Sequence, residues 1–209
     1  MRYSLEHEYE IKLRIPADAI DRIGTLLAKL KRFAKAERVR LQSSYYDDQN
    51  FSLLHQGLCL RIVDNGTSMV QTLKDLYPKS GQCPLRQELN VQLSSNALDL
   101  SAIKEPLENH IKAPGLRKWQ ACFSISIMRH NYFVELAKRH YQISIDQGTL
   151  FAANKTMAIC EMEIESCDQQ PFDMAQLTKL VPFLGGFTQE QASKAQRGYD
   201  LLQRERAKV

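Results

Sequence analysis

Apolar and polar residues alternate along much of this chain, a pattern typical of strands with one buried face and one charged face. Residues 6–15 show it most clearly, because charged side chains occupy the even positions and mostly apolar ones the odd positions. Pro16 ends this run. Residues 18–33 then carry isoleucine and leucine at helical spacing, which predicts an amphipathic helix that packs on the first strand.

The same alternation predicts a series of further strands. They are residues 38–46, 59–64, 69–75, 85–93, 119–129, 131–137, 141–146 and 157–165. Asn65-Gly66 between two of these runs predicts a hairpin, and residues 78–84 predict a loop. Gly148 predicts a turn just after Asp146.

Helical spacing returns in three places, at residues 97–112, 172–184 and 190–206. Eight or more short strands with three or four helices predict a single α+β domain over residues 1–209, dominated by antiparallel pairing. The edges of such a sheet must be covered or joined. Closure into a barrel is one solution, and it would turn one charged face inward.

Composition narrows the functional classes. The 209 residues are 44% hydrophobic and 25% charged, which predicts one folded core, and a net charge of +4 argues against a nucleic-acid partner. The chain turns acidic at Glu6, and residues 180–187 are broken by Pro182 and two glycines, so we expect no signal peptide, no membrane span and a cytoplasmic location. Five cysteines without a C-x-x-C pair argue against disulfides and a zinc cluster.

The charged strand faces are the candidate chemistry, because glycine-rich phosphate loops and the common hydrolase motifs are absent from the sequence. Taken singly, each face is more typical of a solvated sheet surface. Two faces, however, stack three glutamates each, and such like charges call for a cation. They are Glu6, Glu8 and Glu10, and Glu161, Glu163 and Glu165. Arginine and lysine on the other strands suit phosphate oxygens, so the set fits a metal complex of a polyphosphate.

The order of motifs resembles the CYTH domains, which are the triphosphate tunnel metalloenzymes. Glu8-Tyr9-Glu10-Ile11-Lys12 matches the E-x-E-x-K signature of that family. The motifs that follow it in order are Tyr45-Tyr46-Asp47, Gly57-Leu58-Cys59-Leu60-Arg61-Ile62, Gln71-Thr72-Leu73-Lys74, Arg86-Gln87-Glu88-Leu89-Asn90-Val91, Asp146-Gln147-Gly148, Cys160-Glu161-Met162-Glu163, and Ser193-Lys194 before Arg197-Gly198-Tyr199. The resemblance extends from Glu6 to about Leu202. Within the family, the sequence looks most similar to the bacterial inorganic triphosphatases.

The resemblance implies a closed antiparallel barrel of eight strands with a charged tunnel, helices outside and a C-terminal helix. It implies four metal carboxylates, namely Glu8, Glu10, Glu161 and Glu163. It implies six phosphate ligands, namely Lys12, Arg61, Lys74, Arg86, Arg129 and Lys194. Glu88 and Asp146 are expected to face the metal or its water and form the catalytic group together with Lys12. Glu165 shares the face but lies beyond the usual pair, and Val63 stands where relatives often have a second arginine.

The implied activity is hydrolysis of inorganic tripolyphosphate, or of a related triphosphate, to release orthophosphate with Mg²⁺ or Mn²⁺. A class IV-type adenylate cyclase and a thiamine triphosphatase are alternatives on the same barrel. A module that captures polyphosphate without turnover is a third alternative, although anion capture alone has no use for four carboxylates on the binding wall. The exact substrate, the metal and the oligomeric state, including a homodimer, stay open.

Overall fold

The computed structural model describes residues 3–30, 33–77 and 85–206. Its strands are β1 (Ser4–Arg14), β2 (Phe33–Asp48), β3 (Leu58–Asp64), β4 (Met69–Asp75), β5 (Leu85–Leu93), β6 (Trp119–Leu136), β7 (Arg139–Ala152), β8 (Lys155–Ser166) and β9 (Thr188–Gln189). Its α-helices are α1 (Ile20–Ala28), α2 (Ser52–His55), α3 (Lys104–Glu108), α4 (Met174–Leu180) and α5 (Lys194–Arg206). Three short 3₁₀ turns lie at Ala17–Ala19, Pro114–Leu116 and Pro182–Gly186.

Strands β1 to β8 form a closed antiparallel barrel, as the sequence analysis expected. The strand order is β5-β4-β3-β2-β6-β7-β8-β1, and β1 closes the ring by pairing with β5 as well. Glu8 lies opposite Arg86 on β5, while Lys12 lies opposite Glu163 on β8. The two-residue strand β9 adds to β1 beside its pairing with β8.

Alternation along each strand decides which side chains reach the interior. On β1 the odd residues Ile11 and Leu13 are buried in a core that also contains Ile23 and Leu27 of α1. The even residues Glu10 and Lys12 therefore point into the barrel, and both are buried. A second outer core joins β3, β4 and β5 to α3.

One end of the barrel interior is apolar. Phe123 and Ile125 share a face of β6 with Arg129, so they point inward, and the Phe123 ring contacts Tyr199 of α5 at a centroid distance of 5.1 Å. A Cβ atom on Gly198 would lie 2.2 Å from the Phe123 ring, so glycine is what allows α5 to approach. Helix α5 thus packs against this apolar end.

The predicted turn at Gly148 is wrong. Gly148 lies within β7 and pairs with Ile127 on β6 and Ile159 on β8. A Cβ atom there would lie 2.0 Å from the carbonyl oxygen of Ser126, so the residue serves close packing of two strands rather than a change of direction.

Several predicted bounds also differ. The strands predicted at 119–129 and 131–137 form one continuous strand, β6, because its partners β2 and β7 pair with it throughout. The helix predicted at 97–112 is only the short α3, and α1 ends at Ala28 rather than at residue 33, where β2 begins. The hairpin at Asn65-Gly66 is present, whereas the predicted loop 78–84 lies outside the described residues. Among the described helices, none has the length and apolar character needed to span a membrane.

Candidate active site

The barrel interior holds a wide cavity that continues into a narrow one. The wide cavity measures about 500 Å³ and the narrow one about 70 Å³, and Glu8, Arg61 and Arg129 line both. Hydroxyl and amide side chains such as Ser43, Asn90 and Gln92 line the wide cavity, whereas the narrow one is strongly charged. We call the wide cavity the mouth and the narrow one the charged chamber.

All six predicted phosphate ligands line the charged chamber. They are Lys12 of β1, Arg61 of β3, Lys74 of β4, Arg86 of β5, Arg129 of β6 and Lys194 of α5. Each comes from a different element, so only closure of the barrel brings them together. A wall of this kind suits an extended chain of phosphate oxygens.

Asp146, Glu161 and Glu163 form a compact group that we call the acidic triad. One carboxylate oxygen from each lies within 4.8 Å of the others, and all three residues are buried. Register explains this, since Asp146 of β7 lies directly opposite Glu161 of β8. Carboxylate oxygens are the ligands that Mg²⁺ and Mn²⁺ prefer, so the donor set fits such an ion.

Basic side chains neutralise the acidic triad in this structure. Lys194 Nζ lies 2.6 Å from Asp146 Oδ2 and 2.8 Å from Glu163 Oε1, and it also contacts Glu161. Arg129 donates two hydrogen bonds to Asp146, of 2.7 and 2.6 Å, and one to Glu163. Burial opposes ionisation of Glu163, but Lys194 and Arg129 outweigh it and hold the pKa of Glu163 well below its usual value.

Arg197 is a site residue that the sequence analysis did not assign. Its guanidinium donates a hydrogen bond to Glu161, one turn along α5 from Lys194. The i, i+3 spacing on one helix face was the signal that could have identified it, because such residues lie side by side.

Glu8 and Glu10, the other two predicted metal carboxylates, lie outside the acidic triad. Glu10 contacts Lys12, and its Oε1 lies 3.7 Å from Arg86 Nη1. Glu8 shares a hydrogen bond with Glu88, and burial, followed by repulsion from Glu88, raises the pKa of Glu8 to about 8. Glu165 also lines the chamber, and burial together with Glu163 and Glu88 raises its pKa.

Glu88 stays ionised beside these carboxyl groups. Burial acts to raise its pKa, but Lys74 and Arg61 overcome that effect and hold the pKa of Glu88 at about 2. Lys74 donates a hydrogen bond to Glu88, and Arg61 Nη2 lies 3.6 Å from it. A buried carboxylate that accepts hydrogen bonds while ionised is suited to hold a water molecule.

The pKa of Lys12 is also lowered, but for a lysine this favours the neutral form. Burial, and then repulsion from Arg86, Lys194 and Lys74, lower the pKa of Lys12 to about 7, although Glu163 acts against this. Its Nζ contacts Glu10 and lies 3.8 Å from Glu163 Oε1. A lysine with such a pKa can give up a proton near neutral pH.

Two arginines of the chamber carry donors that no described residue uses. The Nε atoms of Arg61 and Arg86 are buried without a hydrogen-bond acceptor in the described part of the chain. A buried, unsatisfied donor is costly, and sites of this kind often await a ligand. These N–H groups point to an anionic ligand in the chamber.

Comparison with known proteins agrees with this geometry. An inorganic triphosphatase from Haemophilus influenzae is 27% identical over 192 residues, which are 92% of this chain and 54% of that protein. The chain therefore spans about half the length of this curated relative.

Solved structures share the fold. A candidate adenylate cyclase from Bacillus halodurans is 17% identical with a TM-score of 0.65, covering 94% of this chain and 98% of its own. A Hippeastrum protein described as a candidate adenylyl cyclase with a dominant triphosphatase activity is 16% identical with a TM-score of 0.61, covering 95% of this chain and 96% of its own.

The CYTH domain family model matches residues 6–199. With the tunnel fold and nearly the whole chain covered, this protein belongs to the CYTH domain family.

Proposed function

We propose that this chain hydrolyses inorganic tripolyphosphate, or a related triphosphate, and releases orthophosphate in a metal-dependent reaction. The observation that carries the proposal is the charged chamber, where six basic side chains from six elements converge. The unsatisfied Nε donors of Arg61 and Arg86 support an anionic ligand. The names of the Haemophilus influenzae and Hippeastrum proteins support the triphosphatase class.

The basic side chains would bind the phosphate chain along the chamber. Arg61 and Arg86 offer forked contacts and Lys74 a point charge, and these contacts strengthen as negative charge develops on the transferred phosphoryl group. Lys12, with its pKa lowered to about 7, would donate a proton to the departing phosphate.

The acidic side chains would serve the attacking water and the metal. Glu88, ionised at neutral pH, would orient the attacking water, whose proton would pass to the released orthophosphate. Asp146, Glu161 and Glu163, with Glu8 and Glu10 near the phosphate chain, would hold Mg²⁺ or Mn²⁺. When bound, the ion supplies charge neutralisation for the phosphate oxygens.

The mouth favours one alternative substrate, a triphosphate that carries an organic group. Its wall combines apolar Val63 and Ile127 with the polar side chains of Ser43, Asn90 and Gln92, which suits a nucleoside. An adenylate cyclase would use the same chamber but would release pyrophosphate and cyclic AMP.

A phosphate-release assay separates these possibilities. Purified protein is incubated with tripolyphosphate, ATP, thiamine triphosphate or pyrophosphate, each with Mg²⁺ or Mn²⁺, and products are identified by ³¹P NMR. We expect orthophosphate and pyrophosphate from tripolyphosphate at the highest kcat/KM. Formation of cyclic AMP from ATP would show that the protein is an adenylate cyclase instead. Binding of these compounds without turnover of any of the four would show that it is a binding module.

A further inference from the structure

Lys194 occupies the centre of the acidic triad. Its Nζ contacts all three carboxylates, at 2.6 Å from Asp146 and 2.8 Å from Glu163, and the side chain is buried. Arg129 contacts Asp146 and Glu163, and Arg197 contacts Glu161, but among the described residues Lys194 is the cation that contacts all three carboxylates. The ammonium thus stands where an ion shared by the triad would lie.

A divalent ion and the Lys194 ammonium cannot share this position. Mg²⁺ needs oxygen ligands at about 2.1 Å, which would place it against an ammonium already within hydrogen-bond distance of the same oxygens. Repulsion between the two cations in a buried site is strong because the effective dielectric constant is low. One of them must leave.

The Lys194 side chain is flexible and could move its ammonium group within the chamber. Lys194 is the first residue of α5, and a four-carbon stem joins its ammonium to the backbone. The chamber around it is also lined by Arg86 and Lys12, the side chains assigned to phosphate. Of the chamber's carboxylates, Glu10 already contacts Lys12 and Glu8 shares a hydrogen bond with Glu88, so a displaced ammonium would gain most from phosphate oxygens.

We propose that Lys194 is an internal competitor of the metal, which fills the acidic triad in the free protein and moves to the phosphate chain when the ion binds. This inference rests on the metal site of the proposed function. Competition from Lys194 would make tight metal binding depend on phosphate. The ammonium would also offset repulsion among the three buried carboxylates when no ion is present.

The test measures Mn²⁺ binding without any phosphate, by calorimetry and by loss of the free-ion electron paramagnetic resonance signal. We expect Lys194→Met to bind Mn²⁺ about tenfold more tightly or better than the wild type, because the competing charge is gone. Mn²⁺ alone should also raise the melting temperature of Lys194→Met more than that of the wild type.

Lys74→Met is the matched control, since it also removes one positive charge from the chamber, but Lys74 contacts Glu88 instead of the triad. We expect its Mn²⁺ affinity to change much less. Equal gains in both variants would mean a general charge effect and would overturn the proposal, as would unchanged or weaker binding by Lys194→Met.

Lys194→Gln provides a second variant should the Met substitution prevent folding, because glutamine keeps hydrogen-bond donors near the triad without the charge. Its expected result is the same gain. The binding experiment involves no turnover, so tripolyphosphate hydrolysis measured separately on the wild type tests the proposed function alone. Tighter Mn²⁺ binding by the variant with an inactive wild type would support the competition and reject the triphosphatase.

Discussion

Individual charged residues in the barrel differ in state because their nearest neighbours differ. Glu8 and Glu88 share a hydrogen bond, yet the pKa of Glu8 rises to about 8 while that of Glu88 falls to about 2. Lys74 contacts Glu88 directly, and Arg61 lies beside it. The sequence presents these glutamates as equivalent members of alternating strands. The direct contacts of Glu88 with these two basic side chains are the main difference between them.

Substitution of Arg86 tests whether a single basic residue of the chamber binds phosphate. Arg86 is buried, 4% exposed, and its Nε has no described acceptor, which supports the phosphate contact proposed for it. We expect Arg86→Ala to lower kcat/KM for tripolyphosphate by about 30-fold to 1,000-fold, because a charge-assisted contact in a desolvated site is worth about 2–4 kcal/mol in the transition state.

Arg22→Ala is the control for this variant, because Arg22 is an exposed arginine on α1 and its removal changes the net charge equally. Phosphate release and the melting temperature are measured for both. Near-normal turnover by Arg86→Ala would show that Arg86 does not bind the phosphate chain.

At the scale of elements, short segments are held in place by buried carboxylates at the end of β2. Asp47 accepts hydrogen bonds from the backbone N–H groups of Leu53 and Leu54 at 3.0 and 3.1 Å and from the Tyr199 hydroxyl at 3.1 Å. It therefore connects β2 to α2 and α5. The motif Tyr45-Tyr46-Asp47 belongs to the resemblance, and its aspartate has this structural role.

The neighbouring carboxylate, Asp48, predicts a pH dependence of stability. Its oxygens accept hydrogen bonds from the backbone of Asn50 at 2.9 Å, from the Ser52 hydroxyl at 2.8 Å and from Arg117. Burial acts to raise its pKa, but the bonds from Ser52 and Arg117 outweigh burial and hold the pKa below its usual value. A lowered pKa contributes stability above the unfolded value of about 3.9, and this is lost as the pH falls through the folded value.

Asp48→Asn should therefore lower the free energy of unfolding by about 1–3 kcal/mol at pH 7 and by less at acid pH. Urea unfolding at pH 7 and near pH 3 measures both values. Asp200→Asn, on the exposed face of α5, is the control and should change neither. If Asp48→Asn lowered the free energy of unfolding more near pH 3 than at pH 7, the lowered pKa of Asp48 would be contradicted.

Gly148 tests the packing of two long strands. Because a Cβ atom would lie 2.0 Å from the Ser126 oxygen and 2.7 Å from Ile127 Cα, both backbone atoms, β6 and β7 would have to separate. We expect Gly148→Ala to destabilise the protein by about 3 kcal/mol or more. Gly115→Ala should have little effect, because a Cβ atom there would meet no described residue within 4 Å apart from its chain neighbours. Equal melting temperatures for the two variants would contradict the close approach.

For the whole molecule, the balance of charge inside the barrel predicts metal dependence. The six basic side chains face a similar number of carboxylates, which are Glu8, Glu10, Glu88, Asp146, Glu161, Glu163 and Glu165. The interior thus has little surplus positive charge for a polyphosphate. In the proposed reaction, divalent cations would supply this positive charge.

We therefore expect protein treated with a chelator to keep its fold but release no phosphate from tripolyphosphate. Mg²⁺ or Mn²⁺ should restore turnover, and Ca²⁺ should restore it poorly because its larger, looser coordination shell places the bridging oxygens differently. Circular dichroism before and after chelation checks the fold. Turnover that survives complete metal removal would contradict this balance.

Much of the barrel could be predicted from residue order. Strict alternation in β1 separates Ile11 and Leu13 from Glu10 and Lys12, and the hairpin at Asn65-Gly66 joins β3 to β4 as its residues indicate. Local pattern failed where a long-range neighbour decided the outcome. Gly148 is typical of a turn, but contact with β6 makes it part of a strand, and β6 runs unbroken past His130 because partners pair with it on both sides.

By itself, then, the sequence determined which side of each strand is charged, the order of the motifs and the residue types that line the barrel interior, since these depend on spacing along the chain. The tertiary structure alone decided how those charges are grouped. Closure of β1 onto β5 and β8, and the approach of α5, place Lys194 inside the triad of Asp146, Glu161 and Glu163 and leave Glu8 beside Glu88. Such grouping depends on distances between residues far apart in sequence, and those distances exist only once the barrel closes.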